Sequence, residues 1–297
     1  MHEQDIVWEN TPQLHRPGRD KYLSARVWEQ LPKIYGDKGV FLGEFYTYIR
    51  WLDDIVDDKN VSPNTRMIII KRQSELIKGG DIGKKLIPLE EYYQRIPFEV
   101  LDKPVVPIVR YQFYLLVAAI GSDVEHFGLK PRTRRDIAHY NRRIMNPYAQ
   151  VVSCALNNRP LKKDIGFMSL MDSWNYLGGL LHLPRDIEEE GNVKVGFDQP
   201  EVDKITAAQG YEEKRREILT IYDSDRYKRE WQFTLKKFMA LTTSFWKTDM
   251  PFYQKIISFT YLATREPVRL PHEFRKASME LQQLREKYIK QEEHETF

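Results

Sequence analysis

Helical periodicity, cut at short intervals by glycine and proline and almost free of strand-type alternation, confines this chain to an all-α fold. Candidate helices run over about 20–34, 40–58, 64–79, 85–95, 105–127, 132–157, 164–190, 211–222, 225–247, 251–264 and 272–292. Between them fall Gly36 and Gly39, Pro63, Gly79 with Gly80, Pro97 and Pro104, Gly128 with Pro131, Pro160, Gly191, Pro200, Pro251, Pro267 and Pro271. Segment 105–120 is apolar on nearly all sides and reads as a buried central helix. The last segment, rich in Lys, Glu and Gln, reads as a solvated surface helix. Pro184 falls inside 164–190 and should kink it, because it lacks an N–H and its ring crowds the preceding turn. Gly178 and Gly179 would let another backbone or a ligand approach closely. With no linker, low-complexity tract or fixed-period repeat, residues 1–297 read as a single helical domain, of which 272–297 is a charged C-terminal helix.

Two acidic clusters stand out on these helices. The first is Arg50-Trp51-Leu52-Asp53-Asp54-Ile55-Val56-Asp57-Asp58, and the second is Arg185-Asp186-Ile187-Glu188-Glu189-Glu190. Asp53 and Asp57, Asp54 and Asp58, and Asp186 and Glu190 are each four residues apart, so on an α-helix each pair shares a face. Like charges at that spacing destabilise a helix by about 0.2–0.5 kcal/mol per pair. A divalent cation reverses that cost, since Mg²⁺ takes oxygen ligands and is commonly held by one or two carboxylates together with substrate phosphates.

Each cluster also has a plainer reading. The first would be a solvated helix end, although acids there oppose the helix dipole, and Phe45, Tyr46, Tyr48, Ile49, Trp51 and Leu52 make the helix mostly buried. The second would be hydrated surface. Arg50 and Arg185 suit diphosphate oxygens, because a guanidinium forks onto two oxygens, or they pair with the acids beside them. Acids for metal and arginines for phosphate would together ionise an allylic diphosphate, leaving a carbocation that needs a water-poor aromatic lining. Aromatics make up 12% of the chain, enough for such a lining, with most of them expected in the core.

Other signals narrow the field. A net charge of +3, with bases and acids mixed along the chain, gives no nucleic-acid footprint. The single cysteine, Cys154, leaves no internal disulfide framework and suits a reducing, cytoplasmic setting. The first residues carry charges without an apolar signal core, and no run of about 18 apolar residues occurs. Phosphate-binding glycine loops, nucleophile elbows and CxxC or HExxH patterns are missing. His182, before Asp186, reads as a structural histidine or as a proton acceptor in a cavity. Arg142 and Arg143 would meet a second anionic group or lie on the surface.

These residues resemble the squalene/phytoene synthase family of head-to-head prenyl synthases. The run Phe45-Tyr46-Thr47-Tyr48-Ile49-Arg50-Trp51-Leu52-Asp53-Asp54-Ile55-Val56-Asp57-Asp58 is similar to the family's first motif. Leu177-Gly178-Gly179 through Arg185-Asp186-Ile187-Glu188-Glu189-Glu190 is similar to the second. Lys21 to Arg26 with Leu31-Pro32 resembles the N-terminal helix, and Thr133, Asp136 and Tyr140 resemble the start of the middle helix. The likeness is strongest over about 15–265. Three places depart from the pattern. Ile144-Met145-Asn146-Pro147-Tyr148-Ala149 stands where the family has small tunnel-lining residues. Gly179 and His182 replace a Gln and an Asn, and Gly18 and Asp20 around Arg19 replace a serine pair.

The resemblance implies a class I terpenoid synthase-like helical bundle with a central cavity. It implies that Asp53, Asp54, Asp57, Asp186, Glu189 and Glu190 hold on the order of two or three Mg²⁺ ions, and that Tyr46, Arg50 and Arg185 contact diphosphate. The expected reaction is ionisation of an allylic prenyl diphosphate and coupling to a second one, giving a squalene-, phytoene- or presqualene-type product. Transfer to an aromatic or amine acceptor and cyclisation of one substrate are alternatives, and a non-catalytic helical scaffold is the alternative of another class. A peripheral membrane contact for an apolar product is a further expectation. Whether NADPH takes part, as in some members, is left open by the sequence.

Overall fold

The computed structural model describes residues 31–58, 60–83, 85–124, 129–161, 165–190, 193–241 and 266–295. The expected helix at 251–264, most of the one at 20–34 and the end of the one at 225–247 lie outside them. The described chain is mostly helical, as its periodicity demands, and none of its helices is long and apolar enough to cross a membrane. The backbone contacts divide it into two compact units, residues 1–125 with 146–161 and residues 126–145 with 162–297.

In the first unit, α1 (Asp37–Asp57), α2 (Pro63–Ile77), α3 (Pro88–Gln94), a 3₁₀ turn (Phe98–Val100) and α4 (Val106–Val124) follow in order. Helix α4 packs against α1 and α2. Ser62 starts α2, its Oγ accepting the Thr65 N–H at 3.1 Å, with Pro63 preset for the first turn. The helix ends where Gly79 takes φ +82° and the Gly80 N–H returns to the Glu75 carbonyl at 2.9 Å.

Phe113 of α4 gathers the aromatic core of this unit. Its ring centroid lies 4.8 Å from Phe45, 5.5 Å from Phe98, 6.0 Å from Tyr93 and 6.1 Å from Tyr48. Below the rings, fully buried Glu90 accepts both Nε and Nη2 of Arg72 at 2.8 and 2.9 Å, Gln73 Nε2 at 3.2 Å, and the Ile87 N–H at 2.9 Å. Gln73 in turn accepts the Tyr48 hydroxyl at 3.0 Å, so one hydrogen-bonded chain ties α1, α2 and α3. Helix α4 is less enclosed than its composition suggests. Tyr111 is 58% exposed, and burial is confined to the side carrying Val109, Phe113, Leu116, Val117 and Ile120.

The second unit opens on β1 (Arg132–Thr133), which pairs in parallel with β2 (Gly196–Phe197), a contact too short to leave a strand signature. Thr133 then caps α5 (Arg134–Asn157): its Oγ1 accepts the Asp136 N–H at 3.1 Å and donates to Asp136 Oδ2 at 2.7 Å. From Asn146 onward α5 counts with the first unit, and Pro147 lies inside it. Cys154, near its end, is buried, and burial pushes its thiol up to about 11, which makes it a packing residue rather than a nucleophile.

Helix α6 (Ile165–Arg185) stops short of the expected 190 and passes into a π-helical turn, Asp186–Glu190. Pro184 supplies the reason. A proline has no N–H for the carbonyl four residues back, here Leu180, and the Tyr227 hydroxyl donates to that carbonyl instead. Burial pushes the Tyr227 hydroxyl well above its ordinary pKa, so it stays a donor. Tyr227→Phe is expected to cost about 1–3 kcal/mol by orphaning a buried carbonyl. In a Pro184→Ala background, where the helix N–H returns, the same change should cost under about 1 kcal/mol. Equal costs by urea unfolding in both backgrounds would refute this account.

Helices α7 (Gln199–Ala207), α8 (Gly210–Ile221), α9 (Ser224–Leu241) and α10 (Glu266–Glu295) complete the unit. Helix α7 lies where Pro200 suggests a break between helices. Pro200 instead sits in the first helical turn, and the Glu201 carboxylate accepts the Asp198 N–H at 2.9 Å. Helix α10 runs through Pro271, and it is not a purely solvated helix. Leu270, Ala277 and Leu281 are buried along one side, and α10 packs against α6. The core here gathers Leu180, Leu183, Ile187, Phe197, Ile218 and Tyr222 around the start of the π turn.

Candidate functional site

Helix α1 carries its aromatic residues and its acids as two adjoining stripes. Phe45, Tyr46, Tyr48, Ile49, Trp51 and Leu52 are all buried, as the sequence suggested, while Tyr46, Arg50, Asp53 and Asp57 follow one another at helical spacing. The Arg50 guanidinium forks onto Asp53 Oδ2 and Asp54 Oδ1, all three side chains being part-buried. Asp57 is only 6% exposed, which excludes a merely hydrated helix end. Arg66 of α2 is buried beside it and donates through Nη2 to the Asp58 carbonyl. Burial lowers the Arg66 pKa, and Asp57 and Asp58 pull it back up. Among the described residues of this cluster, four aspartates stand against Arg50 and Arg66.

Tyr148 of α5 joins the cluster. Its ring centroid lies 5.0 Å from Phe45, and its phenol lies within Coulombic reach of Tyr46, Asp53 and Arg50. Burial pushes the Tyr148 hydroxyl well up, Tyr46 and Asp53 push the same way, and Arg50 opposes them. The phenol therefore stays protonated. Arg66 and Tyr148 were not singled out as site residues in the sequence. Both reach the acids from other helices, and no local spacing announces such a contact; the only hint of Tyr148 was bulk where the resembled family is small.

The second cluster is built on the π turn. Asp186 is 1% exposed and lies 3.4 Å from Arg185 Nη2. Glu188 is drawn to Arg215 and Lys287 at 3.4 and 3.5 Å, and the Tyr211 hydroxyl donates to the Ile187 carbonyl at 2.8 Å. The side chains of Glu189 and Glu190 lie outside the described ones. The two acidic clusters belong to different units.

Neighbouring residues resolve into distinct roles. A Cβ on Gly179 would stand 2.7 Å from the Lys194 carbonyl oxygen, so this glycine admits a crossing backbone, whereas Gly178 faces open space. His182 is exposed rather than enclosed in the core. Arg142 pairs through Nε with Asp172 Oδ2 at 2.9 Å and Arg143 is exposed, so Arg142 serves as counter-ion to a buried acid. Burial raises the Asp172 carboxyl and Arg142 lowers it.

Among the described residues no three acid, histidine or cysteine side chains converge into a ready metal cage, and Asp53 and Asp54 are turned onto Arg50. The donor chemistry nevertheless fits Mg²⁺: hard carboxylate oxygens, in excess over the nearby positive charge, at the edge of an apolar wall. No protein-family model, curated protein or solved structure matches the chain.

Proposed function

We propose that the protein is an Mg²⁺-dependent prenyltransferase with a class I terpenoid synthase-like bundle, which ionises an allylic prenyl diphosphate. The observation that carries this reading is the α1 stripe of Tyr46, Arg50, Asp53 and Asp57, where half-buried and buried carboxylates border an aromatic layer. Carboxylates crowded there repel one another and gain nothing from the helix dipole, so a ligand-binding role explains them better than packing does.

In this reading Asp53, Asp54 and Asp57 on α1 would serve as metal ligands, and so would Asp186, Glu189 and Glu190 on the π turn. Bound Mg²⁺ would neutralise the charge developing on the departing diphosphate. Arg50 exchanges its carboxylate partners for diphosphate oxygens, and Arg185 acts likewise from the second cluster. The allylic C–O bond breaks, and diphosphate leaves with the electron pair. Phe45, Tyr46 and Tyr148 keep water away and offer ring faces to the cation. The cation is then captured by the double bond of a second prenyl diphosphate, and a proton is lost.

Geranyl, farnesyl and geranylgeranyl diphosphates incubated with Mg²⁺ test the reading. Coupled hydrocarbon or its cyclopropyl precursor is the expected product. Cyclised single substrates would assign cyclisation instead, and diphosphate release only with an added aromatic or amine acceptor would assign transfer to that acceptor. Mg²⁺ with a prenyl thiodiphosphate should also raise the unfolding temperature, by about 2.7 kcal/mol of stabilisation at a hundredfold excess over Kd. No release and no shift would leave a helical scaffold.

A further inference from the structure

We infer that the outer faces of α5 and α9, both in the second unit, form a docking surface for an anionic lipid bilayer. The two helices are tied together at two levels. At the first, Arg134 of α5 pairs with Glu230 of α9, whose carboxylate also accepts the Tyr176 hydroxyl of α6 at 3.2 Å. At the second, Arg142 pairs with Asp172 of α6 at 2.9 Å, and Lys237 lies within Coulombic reach of the same carboxylate. From Arg134 to Arg142, and from Glu230 to Lys237, the helices each advance roughly 10–12 Å, so they run side by side and expose one continuous surface.

That surface is cationic. Arg143 on α5 and Lys228, Arg229, Lys236 and Lys237 on α9 are exposed, and none of them makes an ion pair among the described residues. Asp136 and Asp225 are confined to the first turns of the two helices. Beyond them, to Met145 on α5 and Leu241 on α9, the exposed positions carry no acid. Like charges gathered without partners repel one another, so packing does not account for them. Apolar groups stand among these cations: Phe233 is 68% exposed and Met239 39%, three residues before and three after Lys236. Lysine and arginine heads would meet lipid phosphates while their stems and the Phe233 ring enter the headgroup boundary. Charge attraction and apolar insertion together are the two signals that stable surface anchoring takes. A nucleic-acid duplex or an acidic peptide would use the same cations but would leave the Phe233 ring in water. The docking is independent of the proposed reaction.

Cosedimentation of the full-length protein tests this, with vesicles of phosphatidylglycerol and phosphatidylcholine in equal parts and vesicles of phosphatidylcholine alone. Duplex RNA serves as the competing polyanion. Wild type should bind the anionic vesicles and not the neutral ones, and binding should weaken as salt rises. Arg229→Gln with Lys236→Gln should lower the partition coefficient by at least about tenfold. Lys71→Gln with Lys103→Gln removes the same net charge from exposed positions of the first unit and should leave binding unchanged. Phe233→Ser should lower vesicle binding about tenfold while keeping its salt dependence. All five side chains are exposed, so the variants should fold, which circular dichroism checks. No binding to anionic vesicles, equal binding to neutral ones, or equal losses in the two double variants overturns the inference. RNA that displaces the vesicles while Phe233→Ser binds like wild type assigns the face to nucleic acid and overturns it too.

Discussion

Asp53→Asn and, separately, Asp186→Asn are expected to lower Mg²⁺-dependent ionisation of a prenyl diphosphate by at least about a hundredfold, because even groups that merely orient metal ligands are worth about 10–100-fold. The amide keeps the shape of the side chain and removes the anionic oxygen that a hard cation needs. Folding should survive both changes. Asp53 is part-buried, and Arg50 retains Asp54 as a partner, so losing one arm of that fork costs no more than about 1 kcal/mol. Asp186 is buried, but its contact with Arg185 is long at 3.4 Å, and a neutral amide is easier to bury than a charge. Glu188→Gln is the control. Its carboxylate is engaged by Arg215 and Lys287, and its loss should change turnover only a few-fold. Diphosphate release, read beside circular-dichroism melting, decides the matter. Wild-type rates in both aspartate variants would remove these carboxylates from the reaction.

Glu90→Ala should be the most damaging single change to the fold, destabilising the first unit by about 3 kcal/mol, the lower end for breaking a buried pair. Glu90 is 0% exposed and is the shared acceptor for Arg72, Gln73 and the Ile87 N–H. Removing it strands a cation and an amide at the junction of α1, α2 and α3. Arg72 keeps some contact with water, which is why the larger end of the range is not expected. Replacing Glu90 and Arg72 together by apolar residues of similar volume should cost less than Glu90→Ala alone, because no uncompensated charge is then left. Equilibrium urea unfolding measures both. A loss under about 1 kcal/mol for Glu90→Ala would show that the network contributes no more than an exposed ion pair.

Local signals carried the helices as far as their own residues could specify them. The aromatic run before Asp53 forced α1 to be buried, and Pro63 and Gly79 marked both ends of α2, since helix ends are settled within a few residues. Pro200 misled because its position relative to a cap decides between breaking a helix and starting one. Pro184 correctly announced a disturbance in 164–190. Its form, a π turn under Asp186, depends in part on Tyr227, which lies far along the chain. The C-terminal helix looked solvated because its apolar residues are sparse, yet Leu270, Ala277 and Leu281 suffice to bury one edge.

The chemistry divides the same way. Residue type and spacing alone determined that Arg50, Asp53, Asp54 and Asp57 share a helix with buried aromatic rings, because helical geometry fixes which neighbours meet at three and four residues; Asp58, expected on the same helix, falls just past its end with extended backbone. That Arg50 rests on Asp53 and Asp54, that Arg66 backs Asp57 and Asp58, and that Tyr148 leans on Phe45 within reach of Asp53 was decided only by the tertiary structure. Burial and Coulombic fields act through space between segments far apart in the chain, and a one-dimensional pattern carries no record of those distances.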